Sequence, residues 1–151
     1  RIIAFCEKNA NLKVPDIDNL TDDDSFILNQ YSKHYDDLIN YSDNQDVNSY
    51  INFVVEQLFS ANKYFNDQEP WKKKNDKPRM NTIIYVALEL IRKVTILLYP
   101  IIPDSSLKVL GIFNINEDDV NFETIKENNY LKKGLKLNKL NIIFKKIEKN
   151  D

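Results

Sequence analysis

The chain has 151 residues, 42% of them hydrophobic and 29% charged, with two glycines, one cysteine and a formal net charge of −2. That length and apolar share support one globular domain with its own core, and the slight negative charge excludes a whole-surface grip on nucleic acid, so any such grip must be local. The lone Cys6 excludes an internal disulfide and any multi-cysteine metal site and reads as a small buried hydrophobe.

Apolar residues recur at three- and four-residue steps and strict alternation is scarce, so the expected fold class is all-α, a helix bundle. Residues Arg1 to about Asn9, with Ile2, Ile3, Phe5 and Cys6, read as the end of a helix, and the chain as part of a longer, intracellular protein with no secretory signal. The link from Asn9 to Thr21 carries Pro15 and no helical period. Thr21 suits the N-cap of the next helix, with Asp22, Asp23 and Asp24 in the first turn, where the helix dipole favours negative charge. Phe26, Ile27, Gln30, Tyr31, His34, Leu38 and Tyr41 then trace one face of a continuous helix.

A third helix is expected to start at Ser42 with Gln45, or at Asp46 alone, with Tyr50, Ile51, Val54, Val55, Leu58, Phe59 and Asn62 as its stripe. The fourth has Pro78 in its first turn and a wide apolar face of Ile83, Ile84, Ala87, Leu90, Ile91, Val94, Leu97, Leu98 and Ile101, which predicts the most buried helix. Pro100 and Pro103 end it. Asp104 or Ser105 is expected to cap a short helix, with Gly111 in the left-handed position past its end. The expected organisation is a bundle over 1–111 and a C-terminal segment, 112–151, that packs back on it as partly extended chain within one domain.

Several residues invite a chemical reading and have a plainer one. His34, the only histidine, lies on an apolar face, where a packed imidazole is expected before a base or ligand. The Asp22–Asp24 cluster is accounted for by an acidic first turn. Glu89 and Lys93 form an i,i+4 pair on an expected solvated face. Lys, Asn, Ile and Asp dominate at the expense of Gly and Ala, as in AT-rich coding, so the lysines of 132–149 carry little weight as an RNA surface. No catalytic residue and no metal site is expected. The stretch 83–102 is too interrupted by Glu89, Arg92 and Lys93 to span a membrane.

The stretch NKYFNDQEPWKKKNDKPR, 62–79, lies between two long helices and holds the only Trp. Pro70 forces Glu69 out of the helical region and stiffens the lead-in to Trp71. Lys72, Lys73, Lys74, Lys77 and Arg79 follow within eight residues. An indole among cations matches a surface that stacks one unpaired base and holds its phosphates; a core plug beside a solvated lysine run matches equally well.

The run Asn62-x-Tyr64, then Glu69-Pro70-Trp71, then LELIRKVTILLYPIIPDSS resembles the anticodon-binding domain of methionyl-tRNA synthetases, class I aminoacyl-tRNA synthetases. The likeness extends from Arg1 through KVP at Lys13–Pro15 to the closing LNIIFKKIE. It implies recognition of the CAU anticodon of methionine tRNA, with Trp71 stacking on an anticodon base behind Pro70. By the likeness of RIIAF to the family's Arg-x-x-x-Phe segment, it implies that Arg1 contacts the same loop. Lys72, Lys73, Lys74, Lys77 and Arg79 are candidate RNA backbone contacts.

The resemblance further implies a non-catalytic domain of a cytoplasmic methionine-tRNA ligase. It has no cofactor of its own; ATP, magnesium and methionine belong to the full-length enzyme, whose catalytic domain would lie upstream of Arg1. Two glycines leave no phosphate cradle, and no His-rich or Lys-Met-Ser-Lys-Ser-like signature occurs. The alternatives are the matching domain of a valine, isoleucine or leucine synthetase, and a helical protein-interaction module anchored by Trp71.

Overall fold

The computed structural model describes residues 1–139 together with Asn141 and Ile143. It is helical: α1 (Ile2–Ala10), α2 (Asp22–Lys33), α3 (Tyr35–Asp43), α4 (Val47–Gln68), α5 (Lys77–Leu98) and α6 (Pro103–Leu110). Short 3-10 turns follow at Pro70–Lys72, Gly111–Phe113, Glu117–Asp119 and Phe122–Lys126. Among the described residues no strand forms, and one isolated antiparallel bridge joins Lys13 to Lys136. The closing LNIIFKKIE falls mostly outside the described residues.

The helix starts follow local chemistry. The Thr21 hydroxyl accepts the Asp24 N–H while the Asp24 carboxylate accepts the Thr21 N–H at 2.9 Å, a reciprocal capping box. Asp46 accepts the Ser49 N–H and Asp76 the Arg79 N–H, each at 3.1 Å, which caps α4 and α5. Pro78 sits in the first turn of α5, where its missing N–H costs nothing.

Helix α5 is the axis of the fold. It is buried from Met80 to Leu97 except for half-buried Asn81 and Ile91, because α1, α2, α4 and α6 all pack on it. Its expected single apolar face is therefore wrapped on every side. The solvated face expected for Glu89 and Lys93 is a correction: both are fully buried, as is Arg92. The C-terminal segment covers them and satisfies them. Glu89 accepts the Arg92 Nε–H at 2.8 Å and the Leu131 N–H at 2.7 Å. Arg92 donates to the Thr124 and Glu127 carbonyls at 3.1 Å and lies 4.3 Å over the Tyr130 ring. Lys93 donates to the Leu28 carbonyl at 3.1 Å and to Asn128 at 2.5 Å; burial pushes its ammonium down to about 8.

Four further expectations differ. The short helix α6 is not capped by Asp104 or Ser105: Pro103 opens it after Ile102, with no side-chain cap, so both residues lie inside its first turn. The helix after Thr21 breaks at His34 (φ −105, ψ 15) with no Pro or Gly to mark it. The imidazole packs against Phe53 of α4 at 5.6 Å and meets the Asp37 carboxylate one turn on at 3.1 Å, one long-range and one local contact at the bend. On α4 the buried residues are Tyr50, Val54, Gln57, Tyr64 and Phe65, while Ile51, Val55, Leu58 and Phe59 face outward. α5 approaches one edge of a wide apolar arc. Finally, Gly111 is right-handed (φ −58), and Asn114 (φ 59) takes the left-handed turn instead.

Leu90 is 1% exposed at the centre of this axis. Leu90→Ala should lower unfolding stability by roughly 2–5 kcal/mol in a denaturant titration, through the missing transfer energy and the cavity left behind. A change near zero would remove α5 from the core.

Candidate nucleic-acid interface

The C-terminal end of α4 builds the site. A helix cannot run through the residue before a proline without a clash, and Glu69 leaves it into the left-handed region (φ 45, ψ 55), its N–H held by the Asn66 carbonyl at 3.2 Å. Pro70–Lys72 then closes a single 3-10 turn with Pro70 buried. This stiff corner directs Trp71 outward: the indole is 40% exposed, and its covered side lies edge-on to Phe65, with ring centroids 6.1 Å apart. Trp71 is thus neither a sealed core plug nor a free side chain.

Arg1, at the head of α1, reaches the same place. Its Nη2 donates to Asn66 Oδ1 at 2.5 Å, and its guanidinium carbon lies 5.2 Å from the Phe65 ring centroid and 5.9 Å from that of Trp71. Both distances are within cation–π range. Residues from opposite sides of the sequence stretch 1–71 thereby form one patch, an exposed aromatic face beside a planar cation. Pro70 contributes the corner.

The basic residues separate into two groups. Lys72 pairs with Glu69 at 2.8 Å across the 3-10 turn. Lys73, Lys74 and Lys77 have no ion-pair or side-chain hydrogen-bond partner among the described residues, and Lys74 and Lys77 are exposed. Arg79 is drawn into the fold. Its Nη1 and Nη2 both donate to the Asp24 carboxylate, at 2.5 and 3.0 Å, and Nη2 also donates to Gln68 at 2.6 Å, leaving its side chain 17% exposed. The Tyr64 hydroxyl donates to the same carboxylate at 2.5 Å.

Sequence reasoning missed Phe65, Asn66, Gln68 and the ionic role of Asp24. Tyr64 was visible within Asn62-x-Tyr64, whereas Asn62 itself is exposed. No short-range pattern announces that Asp24 and Arg79, 55 residues apart, are partners.

Elsewhere the plain readings suffice. Cys6 is buried, and burial pushes its thiol up to about 11, which disfavours the thiolate and fits a packed hydrophobe. The described residues hold no His/Cys/Asp/Glu group fit for a metal and no helix long and apolar enough to cross a membrane. A groove of about 750 Å³ runs between α2–α3 and α4; Asp23, Glu56 and Asp67 line it against Lys63, which pairs with Asp67, so its acidic excess opposes a polyanion.

Burial pushes the Asp24 carboxyl up, but the Arg79 guanidinium, the Tyr64 hydroxyl and the Thr21 amide outweigh burial and hold it below its ordinary value. A carboxyl lowered in the folded state contributes stability above its unfolded pKa and loses it as pH falls through the folded one. Thermal stability should therefore drop as pH is lowered below about 4. Asp24→Asn should cost roughly 3–5 kcal/mol at pH 7, because Arg79 is left without its charge partner, and should remove that part of the acid dependence. Parallel melts of both proteins from pH 7 to 3 check this; an unchanged acid profile would discard the pair as its source.

The family model described as the anticodon binding domain of methionyl tRNA ligase matches residues 14–151. The methionine–tRNA ligase of Brucella suis is 32% identical over 126 residues, covering 83% of this chain and 24% of that protein. That of Rickettsia conorii is 30% identical over 152 residues, covering 98% of this chain and 30% of the relative. The chain thus spans less than a third of the length of these relatives. The crystal structure of the apo methionyl-tRNA synthetase of Mycobacterium tuberculosis superposes with a TM-score of 0.88 at 24% identity, covering 99% of this chain and 31% of that one, which supports the fold.

Proposed function

Because the chain belongs to the family of anticodon-binding domains of methionyl-tRNA ligases, we propose that it binds the CAU anticodon loop of methionine tRNA at the Trp71–Arg1 patch. The single observation that carries this reading is the half-exposed indole held edge-on by Phe65 with the Arg1 guanidinium beside it.

The chemistry fits an unpaired loop. Bases released from a helix offer a face for stacking and a Watson–Crick edge for hydrogen bonds. The Trp71 face supplies the first contact. Arg1 spends one nitrogen on Asn66 and has Nε and Nη1 left as donors for a base edge or a phosphate. Pro70 and the left-handed Glu69 hold the indole so that little freedom is given up on binding. Lys73, Lys74 and Lys77 lie on the same corner and would take backbone phosphates, with Lys72 the weaker contributor because Glu69 already pairs with it. Arg79 serves the fold and is left out of this set.

The whole protein would attach methionine to its tRNA with ATP and magnesium in the cytoplasm, its catalytic domain preceding this one; the anticodon-binding domain would choose the tRNA and perform no bond-making step.

Base stacking on an aromatic is worth roughly 1–3 kcal/mol, so Trp71→Ala should weaken binding of a CAU stem-loop about 5- to 150-fold, and Trp71→Phe should keep part of it. Since Trp71 is only half-covered, its truncation should cost less stability than the roughly 3–5 kcal/mol of a buried Trp. Full affinity in a folded Trp71→Ala protein would end the anticodon role of this residue, and equal affinity for stem-loops carrying valine, isoleucine or leucine anticodons would end the methionine assignment.

Salt dependence separates the lysines. Removing one phosphate contact should flatten the plot of log affinity against log salt by about 0.7. Replacing Lys73, Lys74 and Lys77 by Gln should therefore reduce the slope by up to about 2, and Lys72→Gln alone should change it less. An unchanged slope in the triple variant would assign those lysines to bulk solvent.

A further inference from the structure

The Arg1 side chain is long, exposed and rich in rotamer entropy, so its direction at this corner depends on the groups it touches. Three interactions hold it there: the Phe65 ring below, the Trp71 ring beside it, and the 2.5 Å hydrogen bond from Nη2 to Asn66 Oδ1. The two rings attract a cation from any direction over their faces and so fix its position without fixing its rotation. Only the Asn66 carbonyl oxygen is directional. It picks out one nitrogen of the guanidinium and thereby sets the plane in which the remaining N–H groups point.

Asn66 is itself exposed and lies in the last turns of α4, one residue beyond Phe65, which is buried. Its backbone carbonyl accepts the Glu69 N–H at the turn that precedes Trp71. The same residue is thus bonded to both halves of the patch, through its main chain to the corner that directs the indole and through its side chain to the cation. It is also uncharged. A carboxylate at this position would orient Arg1 as well but would cancel its charge in front of an anionic loop, whereas an amide oxygen orients it and leaves the full positive charge facing outward.

We infer that Asn66 is the positioning residue of the patch: its amide oxygen sets the orientation of the Arg1 guanidinium so that Trp71 and Arg1 present one stacking face and one donor edge to the same unpaired nucleotide. This rests on the Trp71–Arg1 patch being the RNA site, and it adds to that reading a residue that acts on RNA through another.

The test is a double-mutant cycle on the 151-residue chain with a CAU stem-loop as the probe, supported by the fluorescence of Trp71, the only tryptophan present. Asn66→Ala should weaken binding roughly 5- to 30-fold in the native background and produce little further weakening in an Arg1→Met background, because the residue acts through Arg1. It should also change the emission of Trp71 in the absence of RNA, as the cation leaves its place over the indole, while the melting temperature stays near that of the native chain. Native affinity in Asn66→Ala, alongside weakened binding in Arg1→Met and Trp71→Ala, would overturn the positioning role and leave the RNA site standing. Equal weakening in both backgrounds would overturn it too, by making Asn66 a direct RNA contact. Native affinity in Arg1→Met and Trp71→Ala would instead overturn the RNA site from which this inference proceeds.

Discussion

A carboxylate sealed from water costs several kcal/mol unless its oxygens are matched by a charge and by hydrogen bonds, and Asp24 is such a carboxylate. Its match comes from three elements at once: the Arg79 guanidinium of α5, the Tyr64 hydroxyl of α4, and the Thr21 amide at the head of α2. Each partner has a second duty. Thr21 caps α2, Arg79 also grips Gln68 at the last position of α4, and Tyr64 fills the core between them. The end of α4 is therefore fastened on its inner side to two other helices. The same last turns carry Phe65, buried in the core, and exposed Asn66, on which Trp71 and Arg1 rest. A surface patch can be stiff when the turn beneath it is tied down in this way, and stiffness is what lets a stacking residue bind without first being ordered.

The other buried ions do a different job. Glu89, Arg92 and Lys93 lie on the side of α5 that an isolated helix would turn to water. Their partners are main-chain and side-chain groups of 124–131, together with the Leu28 carbonyl, and the longest regular element of that segment is one 3-10 turn of five residues. Ile125 and Leu131 of that segment are buried in the core and Tyr130 packs against it, which anchors the segment on the bundle. The charges on α5 add direction, because each must find its acceptor or donor at a particular place. Packing of 112–137 on the bundle thus buries apolar side chains and covers those charges together, with Val14 and Leu12 taking up the end of it through backbone hydrogen bonds to residues 134–137.

What the sequence made legible was local. The caps at Thr21 and Asp46, Pro78 in the first turn of α5, the identity of α5 as the most buried helix, and the stiff Pro-Trp corner all depend on residues within a turn of one another, and each is found where its local chemistry directs it. What it hid depends on partners far along the chain. Gln57, not Ile51 or Val55, is on the buried side of α4, because apolar residues cover so wide an arc that only the approach of α5 selects an edge. Glu89 and Lys93 have the spacing of a surface ion pair and no local mark of the segment that covers them. Arg79 belongs by sequence to a basic cluster and by geometry to Asp24, and nothing between residues 24 and 79 states that they meet.

The pairing of Arg79 with Asp24 also explains how a weakly acidic protein carries a local cationic surface. Five basic residues follow Trp71, but they do not act as five charges. Arg79 is neutralised by Asp24, and Lys72 is offset by Glu69. What remains on the corner is Lys73, Lys74 and Lys77, together with Arg1, whose side-chain hydrogen bond goes to an amide. At this corner the fold has sorted its cations by whether a carboxylate reaches them, and Lys73, Lys74, Lys77 and Arg1 are those that none reaches among the described residues. Arginine in the ion pair and lysine at the rim is the order physical chemistry favours: a planar fork grips a buried carboxylate with two bonds, while a flexible point charge can follow a phosphate whose place varies. The exception is Arg1, an arginine left at the surface, whose planar guanidinium is held by an amide oxygen and beside two aromatic rings.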